Sequence, residues 1–368
     1  MPTAGSGSVP NGSTPTTPSP SRTTGSTPTG TRSIESPPDR TAFFRRCATS
    51  DVSDPAVSVV IPVYDRADRV GDAIESVRDQ TLDDWELVLV NDGSTDGSGE
   101  VIDEYAATDP RIHTRHHDEN RGISAARNTG IDAATGEFVC PLDSDDRFRP
   151  EKLARQLSYV RSLPEDYCGC YTAGVSYDAD GDRIETIRTG ASGDLWPEAL
   201  VRHDFRPHSS HMVRRSCLDI IGGYDADLAR GVDWDIAIRL ARRFRVGFID
   251  EILVERHFAD DNVSGNPTAG NPTYQVTIRE HLHEKYADVL AAYPRVGRQF
   301  DARLARHRGL AALEAENRWR ACRQFARAMR LEPTLEHALL VPLSVGGLSV
   351  YRRVSAWRRE QTCLGDGS

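Results

Sequence analysis

Glu137–Asp146, EFVCPLDSDD, is the stretch on which the fold turns. Phe138, Val139 and Cys140 lead through Pro141 and Leu142 into Asp143, Asp145 and Asp146, with Glu151 close behind. The pattern reads as a buried strand running out into a carboxylate cluster. In an α/β sheet the strand ends are where ligands sit. Carboxylates this close repel one another, so the cluster calls for a hard cation or a cationic partner. An acidic turn capping the helix that begins near Pro150 accounts for the same residues, and both readings stay open at this point.

Upstream, the same punctuation recurs. Val57–Val63 (VSVVIPV) and Trp85–Val90 (WELVLV) are short β-branched runs of the kind covered on both faces of a sheet. Arg111–His116 is a further strand, and Asp65–Gln80, Gly99–Ala107 and Asn120–Ala134 carry helical spacing. This alternation predicts an α/β fold with a doubly wound, mostly parallel sheet, whose right-handed crossovers bring the strand-end loops to one edge. Pro62-Val63-Tyr64-Asp65, Asn91-Asp92-Gly93-Ser94 and Asp143-Ser144-Asp145-Asp146 should therefore face one crevice. There Asp92 can accept from a base or ribose donor with Tyr64 packed beside it, although Asp92 and Ser94 are also good helix caps. The chain has no GxGxxG after Val63 and no GxxxxGK[ST], which disfavours a dinucleotide dehydrogenase and a nucleoside triphosphatase.

The whole chain bounds the answer further. Its 368 residues are ample for a buried core, and its formal charge of -10 argues against a nucleic-acid binder. Basic residues are nearly all arginine, and the seven cysteines suggest no disulfide framework, so a cytoplasmic protein is expected. Residues 1–54 are expected to be a Ser/Thr/Pro/Gly-rich disordered tail and lead-in, residues 55–272 the principal domain, and residues 273–368 a helical C-terminal region. Within the last of these, Ala338–Leu348 is apolar but too short to span a bilayer, and Arg352, Arg353, Arg358 and Arg359 follow it. That combination allows a peripheral contact with the inner face of a membrane.

Four segments together, VVIPVYDR (59–66), VLVNDGSTDGS (88–98), NRGISAARNTGIDAATGEFVCPLDSDD (120–146) and GGYDADLARGVDWDIAIRLA (222–241), resemble the inverting, nucleotide-sugar-dependent family 2 glycosyltransferases. The resemblance implies a glycosyltransferase A-type, nucleotide-diphospho-sugar transferase fold and Mg²⁺ or Mn²⁺ as cofactor. It makes Pro62, Val63, Tyr64 and Asp65 the first nucleotide-binding loop and Asp92 the carboxylate that reads base or ribose. Asp143 and Asp145 match the ends of the DxD signature, with Asp145 as metal ligand and Asp143 as a sugar or ribose contact. Asp233 matches the catalytic base of the ED motif, although Val232 stands in place of its acidic neighbour, and His257 lies in a segment comparable to the one in which the family frequently has an RxH histidine that can reach metal or diphosphate. Arg127 is placed by its helix to approach the diphosphate, and Asp225, in the GGYD turn, is expected near the donor sugar.

The partners expected are a nucleotide sugar and a glycan, lipid or small-molecule acceptor, with no nucleic acid. The sequence holds neither a membrane-spanning run nor a QxxRW segment, so transfer of one sugar is favoured over polymer extrusion. The alternatives are a sugar nucleotidyltransferase, which lacks support from a Gly-rich activation loop, and a noncatalytic nucleotide-sugar-binding module.

Overall fold

The structure, a computed structural model, describes residues 54–258 and 271–346. The expected tail over residues 1–53, the polar loop of Asp260, Asp261 and Asn262, and the arginines from Arg352 to Arg359 lie outside the described residues.

The first strand, β1 (Val57–Val63), is buried along its whole length, as its unbroken apolar run requires. It pairs in parallel with β2 (Trp85–Asn91) on one side and β4 (Phe138–Pro141) on the other, and β3 (Ile112–His116) continues beyond β2. The register sets Val63 opposite Asn91, so Tyr64 and Asp92 leave the sheet side by side. Crossover helices α1 (Val70–Arg78), α2 (Ser98–Thr108) and α3 (Ile123–Ala133) connect these four strands. Gly130 lets α3 approach β1 closely, because a Cβ there would stand 2.2 Å from the Val60 side chain.

Beyond β4 the sheet changes character. The three-residue strand β8 (Met212–Arg214) is antiparallel both to β4 and to the long strand β6 (Tyr167–Tyr177), with two residue pairs on each side. β6 then pairs in parallel with β9 (Arg245–His257), and β5 (Asp146–Phe148) and β7 (Arg183–Ile187) complete nine strands among the described residues. The helices α4 (Lys152–Ser162), α5 (Arg215–Ile221) and α6 (Val232–Arg243) lie between these strands in sequence.

The C-terminal helices are α7 (Pro272–Lys285), α8 (Ala287–Ala292), α9 (Pro294–Glu314), α10 (Arg318–Leu331) and α11 (Leu335–Gly346). Packing does not break at residue 272: Ile278, Leu282, Tyr286, Leu290, Val296 and Phe300 share one core cluster with Val60, Tyr171 and Trp234. The α9–α10–α11 end has its own small cluster, around Leu313, Phe325 and Leu340. No helix among the described residues is long and apolar enough to cross a membrane.

Several local expectations change. The helix expected from Asp65 starts at Val70, because Asp65 sits at φ 48° with its carboxylate accepting from Thr95 N (2.9 Å) and its amide donating to Ser94 Oγ (3.1 Å). The short elements β5 and α5 carry too few residues to show a period and were not anticipated.

Candidate active site

The strand-end loops open onto a cleft of about 740 Å³. Of the residues singled out in the sequence, Pro62, Val63, Tyr64, Asp92, Arg127, Asp143, Asp145, Asp233 and His257 line it, whereas Asp65 does not. Asp65 instead ties the first loop to the second. Tyr64 is 45% exposed and Ile123, at the start of α3, is 48% exposed, so two flat or apolar surfaces are left open in the cleft.

Asp92 is buried, and its carboxylate has three donors: His117 Nδ1 (2.7 Å), Arg121 N (2.9 Å) and Gly122 N (2.8 Å). It therefore fixes the 120–122 loop that leads into α3. A carboxylate accepts about four hydrogen bonds, which leaves it one more. Gly93, at φ +70°, makes this fit possible, since a Cβ there would meet the Glu119 backbone at 2.5 Å.

The acidic cluster resolves into three different fates. Asp146 points inward and accepts from Ser209 Oγ (2.5 Å); burial, then the neighbouring Asp145, hold its carboxyl well above the usual range. Asp143 accepts from Arg127 through Oδ1 at 2.7 Å, while its amide donates to Ser209 Oγ. Asp145 is left to face the cleft, and burial together with Asp143 pushes its carboxyl up to about 6, with Arg66 and Arg256 offsetting only part of that.

Arg127 organises the site. Its side chain is 2% exposed, lies 5.2 Å from the Tyr224 ring centroid, and donates to Asp143 with one nitrogen and to Asp233 Oδ1 (2.7 Å) with another. Burial opposes its charge, but Asp233 and Asp143 outweigh burial and raise its pKa above the ordinary arginine value. The guanidinium expected to approach a diphosphate is thus committed to two carboxylates, 16 and 106 residues away along the chain.

Asp233 opens α6, with its side chain 37% exposed. Burial raises its carboxyl, yet His208 and Arg127 overcome that and hold it below the ordinary carboxylate range. His208 Nδ1 stands 3.8 Å from Asp233 Oδ1, and its Nε2 meets the Tyr224 hydroxyl at 2.9 Å. Burial keeps this histidine's pKa low, so its charge bears on Asp233 only at acid pH, and near pH 7 it is neutral and Arg127 is the cation bound to Asp233. Neither His208 nor Tyr224 was picked out in the sequence; the GGYD turn was the available signal, and it was read for its aspartate. That reading is corrected: Asp225 is outside the cleft lining, bound to Lys285 Nζ (2.5 Å), and the turn serves to hold Tyr224, whose backbone Asn128 grips at 2.7 and 2.8 Å. Asp235 is fully buried between Arg239 and Tyr286, each at 2.7–2.8 Å, which is a structural role.

His257 ends β9 with its ring stacked on Tyr177, 5.3 Å between centroids. Among the described residues no three His, Cys, Asp or Glu side chains converge as a metal centre. The donor set nevertheless suits a hard divalent ion: Asp145 offers carboxylate oxygens to the cleft, and its raised pKa marks a charge without adequate compensation.

Comparison with known proteins agrees with this architecture. The sequence model of Glycosyl transferase family 2 matches residues 58–221. The putative teichuronic acid biosynthesis glycosyltransferase TuaG of Bacillus subtilis is 41% identical over 147 residues, covering 40% of this chain and 57% of that protein. The uncharacterized glycosyltransferase EpsJ of the same organism is 40% identical over 255 residues, covering 66% of this chain and 71% of that protein. The chain thus spans little more than half of TuaG, and less than a quarter of some larger relatives. Among solved structures, the mannosyltransferase PcManGT of Pyrobaculum calidifontis, in complex with GDP-Man and Mn²⁺, superposes with a TM-score of 0.51 at 20% identity, covering 84% of this chain and 85% of that one. At that identity the likeness speaks for the glycosyltransferase A-type fold.

Proposed function

Since this chain belongs to glycosyltransferase family 2, we propose that it transfers a glycosyl group, with inversion, from a nucleoside-diphosphate sugar to an acceptor hydroxyl, using Asp233 as general base. The observation that carries this reading is the bridge made by Arg127, which ties a carboxylate of the strand-end cluster to a carboxylate at the start of α6 across one cleft.

In this reading Tyr64 packs on the base, and Asp92 uses its remaining acceptor position toward base or ribose while holding the 120–122 loop. Asp145, with His257 as a further contact, would hold Mg²⁺ or Mn²⁺ together with diphosphate oxygens; when bound, the ion would neutralise charge developing on the leaving group. The metal complex of PcManGT favours such a cofactor here.

Arg127 occupies Oδ1 of Asp233 and leaves the other oxygen for the acceptor. The acceptor proton moves to Asp233 as the acceptor oxygen bonds to the anomeric carbon, and the carbon–oxygen bond to the diphosphate breaks with its electron pair. A carboxylate held ionised is always ready to accept but intrinsically weak, so proton transfer is concerted with bond formation.

Calorimetry against a panel of nucleotide sugars with Mg²⁺ and Mn²⁺, followed by product analysis, tests the proposal. Donor binding and release of free nucleoside diphosphate on adding an acceptor are expected. Release of pyrophosphate would make the protein a nucleotidyltransferase, and binding without turnover under any acceptor would leave only a binding module.

A further inference from the structure

The helical side of the cleft carries cations that the donor chemistry leaves unused. Arg279, on α7, is 7% exposed and lines the cleft, yet its Nε and one terminal nitrogen are buried with no hydrogen-bond partner. Its guanidinium lies 4.5 Å from the ring centroid of Trp234, the residue after Asp233. Arg303, from α9, lines the same cleft, and Arg230 lies 5.2 Å over the Tyr274 ring beside them in the lining.

Glu280 pairs with Arg308 (2.7 Å), Asp301 with His283 (3.2 Å) and Glu336 with Arg306 (2.8 Å). Among the described residues, no carboxylate pairs with Arg279 or Arg303. Burial, then the like charges of Arg303 and Arg306, push the Arg279 guanidinium down to about 9, as happens to a cation without a counter-charge. A charged fork with unused donors, sealed from water on most sides, is satisfied by a planar or tetrahedral oxyanion.

Geometry places Arg279 on the side of Asp233: it lies over the Trp234 ring, and His203 stacks on the same ring with centroids 5.6 Å apart. Arg279 therefore belongs with the base. We propose that Arg279 and Arg303 bind an oxyanion, carboxylate or phosphate, borne by the acceptor close to the hydroxyl that Asp233 deprotonates, so that the acceptor is an anionic glycan or glycan precursor. This rests on the glycosyl-transfer reading above.

The test uses the full chain with saturating nucleoside diphosphate and Mn²⁺, so that diphosphate-binding groups are already filled. Calorimetric titrations then compare methyl glucuronide with methyl glucoside, and glycerol 1-phosphate with glycerol. At least one charged probe should bind ten times more tightly than its neutral partner, and the better of the two identifies the anion. Arg279→Gln and Arg303→Gln should each weaken that probe about tenfold while leaving nucleoside diphosphate affinity within twofold. Equal binding of charged and neutral probes, or unchanged anion affinity in the variants, overturns the proposal. Should Arg279→Gln fail to fold, the half-buried Arg303→Gln decides alone. Failure of the nucleotide itself to bind would instead count against glycosyl transfer, and the probes are then titrated on the nucleotide-free protein with the same two outcomes.

Discussion

The wall of the cleft made by strand ends and the wall made by C-terminal helices satisfy their charges in opposite ways. On the strand-end wall Asp92, Asp143 and Asp146 each have donors within the protein, from Asp92 on backbone amides to Asp146 on a serine hydroxyl. On the helical wall Arg279 keeps unpaired nitrogens. Where the first wall is preset and leaves room for one cation, the second is short of an anion. The contrast teaches that preorganisation and unsatisfied charge are separable: a site can be rigid where it must orient a group and frustrated where it must capture one.

The strongest way to break the contrast is to remove the group that joins the walls. Arg127→Gln strands two carboxylates against each other, and because both are partly open to solvent the cost is expected below the about 3–5 kcal/mol of a fully buried pair. A clear fall in melting temperature is expected, with Asp233 losing its alignment; a variant as stable as the parent would show that Arg127 contributes no net binding between the halves.

Asp233→Asn comes next and tests chemistry rather than architecture. Turnover should fall about 10²-fold or more, the scale of a lost general base, with donor affinity unmoved. Loss of donor binding in parallel with turnover would relocate Asp233 to the nucleotide side.

Asp145→Asn should have opposite effects on stability and activity. The folded carboxyl titrates near 6, above its ordinary value, so the folded state binds the extra proton and stability falls as pH rises through that window. In chelator, the Asn variant should therefore be the more stable one above pH 6, by about 2 kcal/mol or less and a few degrees, with the difference vanishing near pH 4. Metal-dependent donor binding should meanwhile be lost. Parental stability equal to that of the variant at every pH would remove the argument for a cation at Asp145.

The smallest effect belongs to Tyr64→Ala. Its ring is nearly half exposed, so folding should be untouched, while nucleoside diphosphate affinity drops by about 1 kcal/mol, several-fold in Kd. An unchanged Kd would place the base elsewhere in the cleft.

The strand-end wall was legible in the sequence because local pattern determines it. Val57–Val63, Trp85–Asn91 and Phe138–Pro141 are short apolar runs ending in polar loops, and parallel register does the rest. What joins the walls was not legible. Arg127 reaches partners set by tertiary folding, and its helical position looks the same whether it faces phosphate or carboxylate. The helical wall was hidden for another reason: all but two of the 45 basic residues are arginine, so Arg279 and Arg303 carry no compositional signal. His208 escaped notice because its meaning depends on Tyr224 and Asp233, which only packing brings near.

The short strand β8 carries a mechanical consequence. It fastens the parallel block β3-β2-β1-β4 to β6 and β9 through two residue pairs on either edge, whereas β1 and β2 share seven. In a sheet pulled across its width, rupture starts where the fewest bonds share the load. Amides at Val213 and its neighbours should exchange with solvent sooner than those of β1. A tether applied across that seam would part the sheet there before any strand of the parallel block slips.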